Sequence, residues 1–232
     1  MKTNFNKMIL VFSLVITFIS CETNDDPVIT NTSVSIETTN ENAEKTYTTI
    51  KINGTVSSDG GSSIINRGIC WNTEPNPTIE NNSIIENNNN FSSTINNLLA
   101  NTSYYFRTFA TNELGTSYSE QQIISTLSLN NTSWKFTTIY PNQNNFEIFS
   151  KIDFLDDNTT KFDEMDLPGQ CPGCFITFGT WSLEGNNLTY IWEGSDSTIS
   201  TYVYTGILNG MDISGTYTHS SEPNGTWNAI EL

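Results

Sequence analysis

Basic residues are scarce in this chain, with 9 Lys and Arg against 25 Asp and Glu and a net charge of −16. That balance excludes nucleic acid as a partner, because nucleic acid is held by clustered Lys and Arg. It also works against docking of the folded body on anionic lipid. Charge of either sign is thin, at 15% of 232 residues, where an average soluble protein carries about 25%. The chain has a single histidine, so a nucleophilic triad would lack its usual base. No G-x-S-x-G, H-E-x-x-H or P-loop pattern occurs. Paired carboxylates stay open, since their geometry is tertiary. After residue 20 no stretch approaches the ~18 apolar residues of a membrane span. These absences lead us to expect a protein that is not an enzyme and uses no cofactor.

What is abundant is amide and hydroxyl. The chain holds 31 Asn beside many Ser, Thr and Gly, residues that favour turns and strand surfaces over helix interiors. An all-β protein is the expectation.

Residues 1–20 look like an address. Lys2 and Lys7 precede Met8–Ser20, 13 mostly apolar residues, which is short for a span and suits a signal-peptide core. The run ends Phe18-Ile19-Ser20-Cys21. This resembles the lipobox of bacterial lipoproteins, with Phe18 where Leu is usual. The resemblance implies cleavage before Cys21 and lipidation of that residue, and several acyl chains on one residue make a stable anchor. The other reading is an ordinary cleaved signal in which Cys21 is incidental. Residues 21–27 continue as Cys-Glu-Thr-Asn-Asp-Asp-Pro, a solvated acidic tether. An acidic run after the lipid cysteine also resembles the export signal of surface-exposed outer-membrane lipoproteins, so localisation there is expected.

Two β modules follow, over residues 28–128 and 130–232. In the first, short β-rich runs occur at 47–56, 64–71, 91–95, 103–111 and 116–125, divided by Asp59-Gly60-Gly61 and by Asn87–Asn90. That pattern predicts a sandwich. Leu98, Thr102 and Tyr104 stand at the spacing of the L-x-P-x-T-x-Y tyrosine corner, with Ala100 for the proline. Ala110-Thr111-Asn112-Glu113-Leu114-Gly115 follows. These residues resemble fibronectin type III domains. Arg67-Gly68-Ile69-Cys70-Trp71 with Pro75-Asn76-Pro77-Thr78 resembles a branch of them found in bacterial lipoproteins. The resemblance implies a spacer, or a protein- or glycan-contacting module. Cys70 and Trp71 face opposite sides of their strand, and both read as packing residues, although which one points inward stays open.

The second module offers eight candidate strands at 134–139, 146–154, 159–162, 175–183, 187–192, 198–208, 211–217 and 225–232, mostly joined by short polar turns. Consecutive hairpins predict a meander, and eight strands can close into an up-and-down barrel. Gly179-Thr180-Trp181-Ser182-Leu183-Glu184-Gly185-Asn186-Asn187-Leu188 resembles the G-T-W-x-L-x-G-N-x-L signature of bacterial lipocalin-like domains. A barrel of that size encloses side chains or one small ligand, so Trp134, Trp181, Tyr190, Trp192, Tyr202, Tyr204 and Trp227 are either core or lining.

Candidate chemistry reduces to three features. Cys171-Pro172-Gly173-Cys174 is the sole C-x-x-C. In an oxidising envelope it is expected to form a loop-clamping disulfide between Cys171 and Cys174, whereas zinc would need two more ligands. The stretch Asp153–Asp166 holds six acids but lacks the EF-hand order, so Asp156-Asp157-Asn158 reads as a hairpin turn. His219 reads as an exposed loop residue. The function expected is a non-catalytic, membrane-anchored binding or accessory module. Its partner would be a glycan or a protein, or else a small apolar ligand carried in the barrel.

Overall fold

The computed structural model describes residues 33–36, 43–141, 144–164, 176–192, 201–220 and 223–232. Cys21, the tether, and the Cys171–Cys174 pair lie outside the described residues. Among the described residues the architecture is all-β, with 16 strands.

The first eight strands form two sheets. One holds β1 (Ser33–Ile36), β2 (Ile50–Ser58) and β5 (Asn90–Ile95), in the order β1-β2-β5. The other holds β4 (Asn82–Ile85), β3 (Asn66–Asn72), β6 (Ser103–Asn112) and β7 (Gly115–Tyr118), with β8 (Gln122–Ser125) also on β6. Both sheets feed one core. Ile50 and Ile52 come from one side, and Ile69, Tyr104, Phe106 and Ile124 from the other, all buried. Alternation along β2 (buried at Ile50, Ile52, Gly54 and Val56) shows why the strand forms: one face is apolar, and its partner sheet covers it.

The Tyr104 hydroxyl accepts the Leu99 N–H at 2.9 Å, and the Thr102 hydroxyl donates to the Ala100 carbonyl at 2.9 Å. On β3, Ile69 is buried in the core and Trp71 packs against it, partly covered. Cys70 is buried on the opposite face, where its thiol donates to the Pro77 carbonyl at 3.4 Å. The loop carrying Pro75–Thr78 therefore lids the outer face, and Trp71 is the one that points inward.

Several boundaries differ from expectation. The run 116–125 is two strands, because the Ser119 hydroxyl takes over the Thr108 N–H at 3.1 Å and breaks the ladder. Strands β1 and β4 are only four residues each, too short for a pattern to stand out. Tyr47–Thr49 is a turn rather than strand: the Thr46 N–H donates to the Thr49 carbonyl at 2.9 Å, and Thr46 Oγ1 accepts the Thr48 and Thr49 N–H groups.

The second eight strands close into an antiparallel barrel. They are β9 (Thr132–Tyr140), β10 (Phe146–Phe154), β11 (Thr159–Glu164), β12 (Ile176–Glu184), β13 (Asn187–Trp192), β14 (Tyr202–Asn209), β15 (Asp212–His219) and β16 (Gly225–Glu231). Each pairs with the next, and β16 returns to β9 with Trp227 opposite Thr138. No free edge remains, which is the physical reward for closure.

The interior is stacked with rings. Phe136 lies parallel to Trp227 at 4.6 Å, Tyr190 stacks on Tyr204 at 5.3 Å, and Trp181 meets Phe154 edge-on at 5.3 Å. Trp134, Trp181, Tyr190, Tyr204 and Trp227 are all buried core residues. Gly206 makes room for this packing, because a Cβ there would fall 2.6 Å from the Trp227 ring.

The two modules share that core. The turns at 155–158, 185–186 and 210–211 all lie at the barrel end where β9 begins and β16 finishes, and the first module sits over this end. Tyr47 N–H donates to the Gly210 carbonyl at 3.2 Å, and Gly210 N–H donates to the Thr48 hydroxyl at 2.7 Å. The Asn186 side chain bonds the Leu98 carbonyl at 2.8 Å and the Ala100 N–H at 3.2 Å. Tyr47, Ala100 and Leu129 are buried in the barrel's own cluster.

Candidate functional site

With one end of the barrel plugged, the other end is where β9, β11, β13 and β15 finish. The rim there is aromatic. Inward alternation brings Tyr140 from β9, Phe162 from β11, Trp192 from β13, Tyr202 from β14 and His219 from β15 to the same end. All five are half-buried, in contrast to the fully covered rings beneath them.

The rim rings touch in sequence. Phe162 lies 5.9 Å from Trp192, Trp192 lies 5.1 Å from Tyr202, and Tyr202 stacks on His219 at 4.1 Å with 25° between the planes. Tyr140 meets Tyr217 at 5.5 Å. The indole N–H of Trp192 donates to the Thr177 hydroxyl at 2.5 Å, which fixes the ring's tilt. Below the rim, the buried Tyr190 hydroxyl is turned toward Thr160 without closing a hydrogen bond. Burial pushes the Tyr190 and Tyr204 phenols well above their ordinary range. They are neutral groups that can donate or accept a hydrogen bond, and they supply no base.

The sequence reading of these residues divides cleanly. Trp192 and Tyr202 line the rim, while the other five aromatics named with them are core. His219 is no loop residue: it ends β15 and is held face to face by Tyr202. Tyr140 and Phe162 were missed, although counting by twos from Trp134 and from Thr160 puts both on the inward face.

The acidic stretch is accounted for by local bonding where it is described. Burial works against the Asp153 charge, yet Lys151 at 2.6 Å and the Ser133 hydroxyl at 2.5 Å outweigh it and hold the carboxyl below its usual range. Asp157 accepts the Thr159 hydroxyl at 2.5 Å and the Thr159 N–H at 2.9 Å, which lowers its carboxyl too and closes the hairpin turn. Among the described residues no three His, Cys, Asp or Glu side chains gather where a metal could be held. Cys70 is sealed, and burial pushes its thiol up to about 11.

Chemically, the rim offers flat apolar faces edged by hydroxyls and one imidazole. Aromatic faces of this kind suit stacking. No protein-family model matches the chain, and none of the curated proteins matches its sequence.

Proposed function

We propose that this chain is a bacterial outer-membrane lipoprotein, anchored through Cys21 and surface-exposed, that works as a non-catalytic binding or accessory module for a glycan or protein partner. The first module is read as fibronectin type III-like, supported by the two-sheet strand order and the Tyr104 corner. The second is read as lipocalin-like, supported by the closed meander. The observation that carries the binding role is the half-buried aromatic rim around Trp192 and Tyr202, at the barrel end the first module leaves open. Rings packed below it make the barrel's middle a support for the rim. The net charge of −16 keeps the body off anionic membrane while a lipid tether holds it nearby.

The test has two arms. Metabolic labelling with a fatty-acid analogue should mark the wild-type chain and not Cys21→Ser; an unlabelled wild type refutes the anchor. A panel of glycans should bind the wild type, with Trp192→Ala and Tyr202→Ala abolishing the binding. Binding that survives both changes places the contact elsewhere.

A second reading, carriage of a small apolar ligand, is favoured by Phe162 lying against Trp192 in that rim. Displacement of a rim-bound fluorescent apolar probe by fatty acids, with no glycan binding, would establish it in place of the first.

A further inference from the structure

A cleft of about 400 Å³ runs along the seam between the two modules, at the plugged end of the barrel and away from the rim. The first module contributes Asn101 and Ser128, and the second contributes Asn130, Asn158, Trp181 and Ser182. We infer that this cleft is a binding site for a neutral, hydroxyl-rich ligand, one or two sugar rings of an uncharged glycan.

The lining carries no charged side chain. It has no cation to hold a phosphate or a carboxylate, and no carboxylate to hold a metal or an amine. Amides and hydroxyls are what remain, and side-chain amides pair well with vicinal hydroxyls because each presents a donor beside an acceptor. The apolar part fits too. Leu99 and Leu183 flank the cleft, and Trp181 contributes its ring alone, since its indole N–H is already given to the Leu155 carbonyl at 3.1 Å. At about 400 Å³ the space lies near the lower end of small-ligand sites, ~300–1,000 Å³.

A peptide is the main rival, and the backbone around the cleft argues against it. Peptides that dock by strand addition need free backbone groups. Here the Asn101 N–H is bonded to the Leu127 carbonyl at 2.8 Å, the Thr102 N–H to Thr126 Oγ1 at 3.0 Å, and the Trp181 N–H to the Asn158 carbonyl at 2.9 Å. The Leu98 and Leu99 carbonyls accept from Asn186 and Thr126. Asn186 also bonds Ala100, so one side chain rivets the two walls together and preorganises the cleft.

The site differs from the rim, and it stands or falls separately. The full chain, in a detergent without a sugar headgroup, is titrated calorimetrically with maltopentaose, cellopentaose and mannopentaose. Asn101 and Asn158 both have left-handed backbones, at φ 51° and 64°, so Asn101→Gly with Asn158→Gly deletes both amides without straining the chain. The double variant should bind roughly tenfold more weakly, as expected for two lost hydrogen bonds. Ser182→Trp, which fills the cleft, should abolish binding to this site.

Binding lost in Trp192→Ala but intact in the glycine pair would overturn the cleft and favour the rim. A neutral Ser/Asn/Gly peptide that binds where the sugars fail would overturn the ligand class. No binding by any probe, with near-ultraviolet circular dichroism intact, would overturn the site itself.

Discussion

Tyr47, from a turn of the first module, packs against Trp134 inside the mouth of the barrel, with ring centroids 5.5 Å apart. The Tyr47 ring is 1% exposed and belongs to the barrel's core by contact, although it precedes the first barrel strand by more than 80 residues. Its phenol is driven far up, first by burial and then by the hydrogen bond to and charge of Glu231. One module is thus the stopper of the other.

Removing the stopper should uncouple the two. Tyr47→Ala should cost about 3 kcal/mol or more, as large-to-small changes at buried aromatics do. Tyr47→Phe, which keeps the ring, should cost far less. Denaturant unfolding followed by tryptophan fluorescence should give one transition for wild type and two for Tyr47→Ala. A single unshifted transition in the alanine variant would show that the contact carries no coupling.

Tyr104→Phe should destabilise the first module by about 1–3 kcal/mol, because it orphans the Leu99 N–H that the phenol oxygen accepts at 2.9 Å. The barrel strands should keep their hydrogen-exchange protection. Equal loss across both modules would contradict the local role of this corner.

Asp153 gives a pH signature. Its carboxyl is held below the ordinary value of about 3.9 in the folded chain, so its stabilisation is present above that value and is lost as pH falls through the folded one. Asp153→Asn should therefore lower the melting temperature modestly at pH 7, with the gap to wild type closing toward pH 2. The pair with Lys151 is partly exposed, so the effect at neutral pH should stay within about 1 kcal/mol. A gap that widens in acid would reverse the sign and refute the assignment.

Cys70 should be inert. Buried and with its thiol raised to about 11, it should resist iodoacetamide in the folded protein at pH 8 and react promptly once unfolded. Peptide mapping by mass spectrometry distinguishes it from the other three cysteines. Rapid native labelling of Cys70 would mean that the loop at Pro77 opens freely.

Much of the architecture was legible in the residues themselves. Period-two alternation is a local property, so it marked all eight barrel strands, from Trp134 on β9 to Trp227 on β16. Closure followed from an even run of hairpins. The bond from the Leu99 N–H to the Tyr104 hydroxyl spans only five residues, so its motif could be matched by resemblance. Strands of four residues, β1 and β4, are too short to leave such a mark.

Tertiary structure alone decided which aromatics are core and which form a rim, because an inward-facing ring is covered or open according to its depth. Trp181 and Trp192 both follow the inward count, yet only the first lies in the buried core. It alone seated Tyr47 on Trp134 and brought Asn101 near Asn158. Sequence patterning reports how a strand divides its two faces; it carries no record of what a distant turn will be folded against.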